Sequence, residues 1–241
     1  MRLRTAGMAI LVAGALAAPA GAQQPDEPLR PVLAYGGVHF LGAAPVGEFA
    51  DYIGGGFGLG FDVEWPVQPA SWLSLRGDLG WLLYGHETKE VCFESTGCRV
   101  TLDLTTTNNI FFLNLGPQLG APTGSVRPYV NASAGFAYFA TTSSVKGDDS
   151  SENFASDTNF DDITMAWGAG GGFLIPVARG RTPVMIDLGV QYHGNGRVEY
   201  LTEGDIIENP GGGPPTLNVT RSAADFVTFR LGVTIGFRPG S

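Results

Sequence analysis

Residues 226–237 read Phe-Val-Thr-Phe-Arg-Leu-Gly-Val-Thr-Ile-Gly-Phe. Phe229, Leu231, Val233, Ile235 and Phe237 fall on one face, and Thr228, Arg230, Gly232, Thr234 and Gly236 fall on the other. Side chains of a β-strand point to opposite faces in turn, so this period-two alternation marks a strand with one apolar and one small or polar face. The pattern recurs upstream. Phe57, Leu59, Phe61, Val63 and Trp65 oppose Gly58, Gly60, Asp62 and Glu64. Leu73, Leu75, Leu79, Trp81 and Leu83 oppose Ser74, Arg76, Asp78 and Gly80, and Val184 to Tyr192 oppose Asp187, Gly189, Gln191 and His193. Weaker strands fit 107–118, 128–141 and 163–175, and the least regular is the first, near 32–41.

Eight strands leave seven connections, and these alternate in length. The gaps near 42–53, 86–100, 142–162 and 196–222 are long and polar, whereas those near 66–71, 119–127 and 176–182 are short. The short ones carry turn residues, among them Pro66, Pro69, Pro122, Gly124 and Gly180. Long loops on one rim and tight turns on the other are the signature of a transmembrane barrel. A helical span would need about 20 apolar residues, and none follows the N-terminus. A sheet in lipid must close, because an open edge leaves backbone groups unpaired.

Volume decides which face points inward. The interior of an eight-stranded barrel is just wide enough for side chains to fill, and Gly, Ser, Thr and a few charges fit it better than Phe, Trp, Leu and Tyr from nearly every strand. The Gly-rich face is also too poor in Lys and Glu for a water-exposed surface. The large apolar face is therefore expected to meet lipid. Aromatic belts are expected at both interfaces: Trp65, Trp72, Tyr129 and Phe237 beside the short turns, and Trp81, Tyr84, Tyr138, Trp167 and Tyr192 toward the long loops.

The N-terminus reads as a secretory signal peptide over residues 1–22. Arg2 and Arg4 precede the apolar stretch Met8–Leu16, and Ala20-Gly21-Ala22 forms a small-x-small cleavage site. Residues 23–30 are a short linker, and the barrel is expected over 31–238. Cleavage removes two positive charges from a chain whose formal net charge is −9. Export to an oxidising compartment makes a loop disulfide between Cys92 and Cys98 the expected pairing. Their spacing fits few zinc sites, and no His pair accompanies them.

With these strands, this loop asymmetry and the final strand Phe226–Phe237, residues 31–238 resemble the small outer-membrane barrels of the OmpA/OmpX type. The resemblance implies an all-β, eight-stranded antiparallel up-and-down transmembrane barrel in the bacterial outer membrane. In that family an aromatic residue at the very C-terminus helps the assembly machinery recognise the chain. Here Phe237 is followed by four residues, which displaces that signal. The peptidoglycan-binding domain of the larger family members is not expected here.

Asp62, Glu64, Arg76, Asp78, Asp187 and Arg230 are the charges expected to point inward, and a turn centred near 68–70 places Asp62 opposite Arg76. Buried charges must be paired, so the expectation is a salt-bridge network that fills the barrel; the alternative is a narrow channel for ions or small solutes. His193-Gly194-Asn195 is a near miss to the His-x-Ser pattern of lipid A deacylases. Asn195 stands where the nucleophilic hydroxyl is needed, so a lipid-modifying enzyme is the weaker alternative. No cofactor, catalytic residue or metal-ligand spacing is evident, and His39, His86 and His193 each stand alone in the sequence.

The long loops hold 15 of the 23 acidic residues. An acidic exterior argues against nucleic-acid binding. It suits divalent cations bridging the rim to lipopolysaccharide phosphates, with Asp148-Asp149 and Asp161-Asp162 as oxygen donors. The function expected is non-enzymatic: support of the envelope, or loop-mediated binding or adhesion to an external ligand.

Overall fold

The computed structural model describes residues 31–92, 101–147, 155–180, 182–207 and 216–238. The expected signal peptide and linker lie outside these, as do Cys98 and Asp148-Asp149.

Eight long strands close on themselves in the order β1-β12-β7-β6-β5-β4-β3-β2. They are β1 (Ala34–Pro45), β2 (Gly56–Pro66), β3 (Leu73–Cys92), β4 (Thr101–Gly120), β5 (Arg127–Gly147), β6 (Ala155–Ala178), β7 (Val184–Asn195) and β12 (Phe226–Phe237). Every neighbouring pair is antiparallel, and β1 seals the ring against β12 from Ala34↔Phe237 to Pro45↔Phe226. Closure removes the sheet edge that lipid cannot satisfy.

Alternation places the side chains as volume requires. Phe40, Phe57, Leu79, Leu113, Phe136, Met165, Phe229 and Leu231 lie on the outer surface, while Asp62, Arg76, Asp78, Asp187 and Arg230 are buried inside. Trp65, Trp72 and Phe237 are exposed beside the short turns. Tyr129 and Tyr84, expected in the belts, instead point into the barrel at 3% and 8% exposure. Tyr129 keeps its hydroxyl satisfied there by Asp187, and Tyr84 lies at a register shift between Leu83 and Gly85.

The strands are longer than the polar pattern implied. β3, β4, β5 and β6 run 20, 20, 21 and 24 residues, against 11 or 12 for β1, β2, β7 and β12. A tilted transmembrane strand needs about 9–11. Much of 86–92, 142–147 and 155–162, read as loop from the sequence, therefore forms with 101–106 a four-stranded sheet standing beyond the membrane. Hydroxyls and amides knit it together: Thr88–Thr105 at 3.1 Å, Thr106–Ser143 at 2.9 Å, and Asn159 donating to Ser143 at 2.6 Å.

The long segment after β7 is also structured. Strand β8 (Arg197–Tyr200) pairs with β11 (Thr220–Ala223), and β9 (Ile206–Ile207) with β10 (Thr216–Leu217). A 3-10 helix, Gly47–Asp51, fills the connection between β1 and β2.

Candidate functional site

The barrel interior has two layers. The lower layer, toward the short turns and the chain ends, is ionic. The turn between β2 and β3 closes with Val67 N–H donating to Leu73 C=O at 3.0 Å. It pairs Asp62 with Asp78 and Glu64 with Arg76, which corrects the expectation that Asp62 faces Arg76. Two residues of offset keep every side chain on its face. Asp62 and Asp78, now directly opposed, are reconciled by Arg76. Its Nη2 lies 3.1 Å from Asp62 Oδ1, and its Nε donates to Asp78 Oδ1 at 2.8 Å. Its Nη1 donates to Gln118 Oε1 at 2.9 Å.

Arg230 reaches the same centre from β12, with Nη1 3.4 Å from Asp78 Oδ1 and Nε 3.7 Å from Asp187 Oδ2. Tyr129, from β5 across the barrel, donates to Asp187 Oδ1 at 2.6 Å and accepts from Arg230 Nη2 at 2.8 Å. Both guanidiniums lie over its ring, at 5.8 and 5.4 Å. Five of the six inward charges named from the sequence thus meet at one level. Glu64 stands apart, accepting from the Ser74 hydroxyl at 2.6 Å. A cavity of about 220 Å³ opens at this end between Tyr35, Glu64, Ser71 and Arg127.

His39 belongs to this centre and was missed. Its Nε2 sits 3.2 Å from Asp62 Oδ1 and 3.1 Å from Asp187 Oδ2. The signal was available: His39 shares parity with Tyr35, Gly37 and Leu41 on β1. Its partners, however, lie on β2 and β7, so spacing along the chain does not reveal it.

The upper layer is apolar. Leu41, Leu82, Tyr84, Ile110, Phe112, Ala137, Phe139, Ala166 and Phe226 point inward from the barrel wall. Phe49 and Ile53 descend on them from the 3-10 helix and the residues after it, and Val198 and Tyr200 from β8. Phe49 meets Tyr84, Phe139 and Tyr200 edge-on at 5.8, 6.3 and 5.2 Å. Burial raises the Tyr200 hydroxyl above the ordinary tyrosine range, while its hydrogen bond with Ser222 at 2.8 Å opposes the shift. Glu48 fastens the helix to the hairpin, accepting from Arg197 at 3.3 Å and Ala223 N–H at 3.1 Å. The expectation that small and charged residues alone fill the interior is corrected: an aromatic cap seals the outer end.

His193 lies between the layers. It is 2% exposed, stacked on Phe226 at 4.6 Å and 3.0 Å from the Thr228 hydroxyl. Asn195 donates to Ala224 C=O at 2.6 Å. Neither side chain faces lipid.

At the outer rim, Asp161 and Asp162 are successive residues of β6 and point to opposite faces. Asp162 accepts from Ile163 N–H and Glu199 N–H, both at 2.8 Å. The two carboxylates therefore do not converge. Cys92 ends β3, while its expected partner Cys98 is outside the described residues.

Among solved structures, the chain is similar to Neisserial surface protein A, at 14% identity over 85% of this chain and 97% of that one, with a TM-score of 0.44. It is similar to Ail, the attachment invasion locus protein of Yersinia pestis, at 13% identity over 85% and 97%, with a TM-score of 0.46. A major outer membrane protein of Thermus thermophilus gives 15% identity over 85% and 99%, with a TM-score of 0.38. No curated protein matches. Residues 8–237 match the family described as the outer membrane protein beta-barrel domain. That match spans nearly the whole chain, and with a closed eight-stranded ring that is apolar outside, the protein belongs to that family of bacterial outer-membrane barrels.

Proposed function

We propose that this is a non-enzymatic barrel whose wall is an anchor and whose outer rim does the work, binding or adhering to an external ligand. The observation that carries this reading is the construction of the outer end. Four strands continue beyond the membrane, and the hairpins of 197–223 are fixed to the rim by Tyr84 and by Glu203 and Glu87, which accept from His86 N–H and Gly204 N–H. Ordering such polar segments costs about 1–2 kcal/mol per residue in backbone entropy, an outlay that a mere turn between strands does not need.

The aromatic cap and the ion cluster both oppose a channel, since each sets buried side chains from several strands across the interior. The burial of His193 and the amide at Asn195 oppose acyl transfer to lipid. The expected partners at the rim are lipopolysaccharide and the divalent cations that bridge it, with a Cys92–Cys98 disulfide tying the β3–β4 tip after export by the signal peptide.

The test is attachment. Bacteria displaying the protein are compared with bacteria displaying a form in which 197–223 is replaced by a short Gly-Ser turn. Attachment to protein-coated surfaces, with and without calcium, is expected to fall for the shortened form. Equal attachment at equal surface expression, or release of fatty acid from lipid A by the purified protein, contradicts the reading.

A further inference from the structure

The buried ion cluster carries an excess of negative charge among its carboxylates and guanidiniums. At its level Asp62, Asp78 and Asp187 supply three carboxylates, and Arg76 and Arg230 supply two guanidiniums. A buried charge without a partner is very costly. The excess has a location. Asp78 touches both guanidiniums, whereas Asp62 Oδ1 and Asp187 Oδ2 converge on His39 Nε2 at 3.2 and 3.1 Å. One ligand atom from each of the three residues can be chosen so that all lie within 4.8 Å of one another. His39 Nε2, Asp62 Oδ1 and Asp187 Oδ2 are buried and make no hydrogen bond of good geometry.

The separations suit an ion. Around a tetrahedral Zn²⁺ with bonds of about 2.0–2.2 Å, neighbouring ligand atoms stand about 3.3–3.6 Å apart. An Nε2–H aimed at either oxygen at 3.1–3.2 Å would count as a hydrogen bond. Here the nitrogen addresses neither oxygen squarely, an arrangement compatible with all three atoms addressing a common centre.

The fold also makes room. Gly60 and Gly232 face His39 from the two neighbouring strands. A Cβ on Gly232 would strike the imidazole at Cδ2, and one on Gly37 would strike both the imidazole and Asp62 Oδ1. A cavity of about 20 Å³ lined by His39, Asp78, His193 and Arg230, on the side of His39 toward the aromatic cap, is large enough for one water.

We propose that His39 Nε2, Asp62 Oδ1 and Asp187 Oδ2 bind one divalent transition-metal ion of the zinc class, as a structural centre within the ion cluster. One imidazole and two carboxylates form a donor set for such an ion; Ca²⁺ would need six or more oxygens. Tyr129 holds Asp187 through its other oxygen, Oδ1, at 2.6 Å, the role of a group that orients a metal ligand, while Arg76 Nη2 and Arg230 Nε stand 3.1 and 3.7 Å from Asp62 Oδ1 and Asp187 Oδ2. Because the three side chains are at most 4% exposed, the ion enters as the barrel closes.

The test is retention. The full chain is refolded in detergent with equimolar ZnCl₂, washed with EDTA to strip ions from the exterior carboxylates, desalted and analysed for metal by mass spectrometry. Wild-type protein is expected to keep one zinc per chain. His39→Gln and Asp187→Asn, shown to be folded by heat-modifiable mobility, are expected to keep less than about a tenth of that, since loss of even an outer-shell group costs 10–100-fold in affinity. Folded wild-type protein that keeps no metal, or His39→Gln that keeps as much, overturns the proposal. Should both variants fail to fold, nitrogen-15 NMR of wild-type His39 decides: a metal-shifted Nε2 supports the site, and an imidazolium with two N–H protons overturns it.

Discussion

Arg76 shows how one side chain sets the energetics of the interior. It satisfies two carboxylates that the strand register brings face to face, and it reaches Gln118 on the next strand. Removing one partner of a buried ion pair leaves an uncompensated charge, at a cost of about 3–5 kcal/mol. Arg76→Ala is therefore expected to lower the unfolding free energy, measured by urea titration in detergent, by that much, and a value within about 1 kcal/mol of wild type would contradict the pairing. Ala70 makes the opposite case. It sits in the β2–β3 turn at φ 55°, a left-handed conformation that costs about 1–2 kcal/mol for a residue with a Cβ. Ala70→Gly is expected to raise stability by about 0.5–1 kcal/mol in the same titration, after glycine's own entropy is subtracted. The inward parity of Asp62, Arg76, Asp78, Asp187 and Arg230 was legible in the sequence, because period two assigns a face without knowledge of register. Their partners were not legible, because register is set by the turn, and a turn whose centre shifts by one residue, here from 69 to 70, moves every pairing by two.

Among the elements, the aromatic cap decides what the outer end is. Phe49→Ala removes a ring that three others contact edge-on, a loss of about 3–5 kcal/mol for a well-packed phenylalanine. Amide exchange across 197–207 is expected to accelerate while the strands near Arg76 stay protected; unchanged exchange at 197–207 would show that the helix does not pin the hairpin. Tyr200 adds a pH dependence. Burial raises its hydroxyl above the unfolded value of about 10, so its contribution is whole below that pH and is lost as pH climbs through the folded value. Protease cleavage of the cap is expected to rise in strong alkali for the wild type and less for Tyr200→Phe. The sequence does hold a trace of the cap. Alternation fails at Leu82-Leu83, Ile110-Phe111-Phe112-Leu113 and Phe139-Ala140, where both faces are apolar, as befits a strand buried on both sides. The protruding ends of β3–β6 were read as loops for the converse reason. Runs such as Thr105-Thr106-Thr107 and Thr142-Ser143-Ser144 meet water on both faces and carry no contrast from which a period can be read.

The whole molecule is a cylinder whose lipid face, ionic layer and aromatic cap each follow from solvent: hydrocarbon outside, no bulk water at the midplane, and a sealed mouth on the side of the long connections. Closure by β1 and β12 should make the folded form resist detergent at low temperature and migrate differently from a boiled sample; identical mobility of the two would count against a closed barrel. The assignment of the rim as the working surface depends on the cylinder being filled. Single-channel recording of the purified wild-type protein in a planar lipid bilayer tests that most directly. A filled barrel predicts a baseline without steady unitary openings; large, stable openings, reproduced across preparations and abolished by heat denaturation, would contradict it.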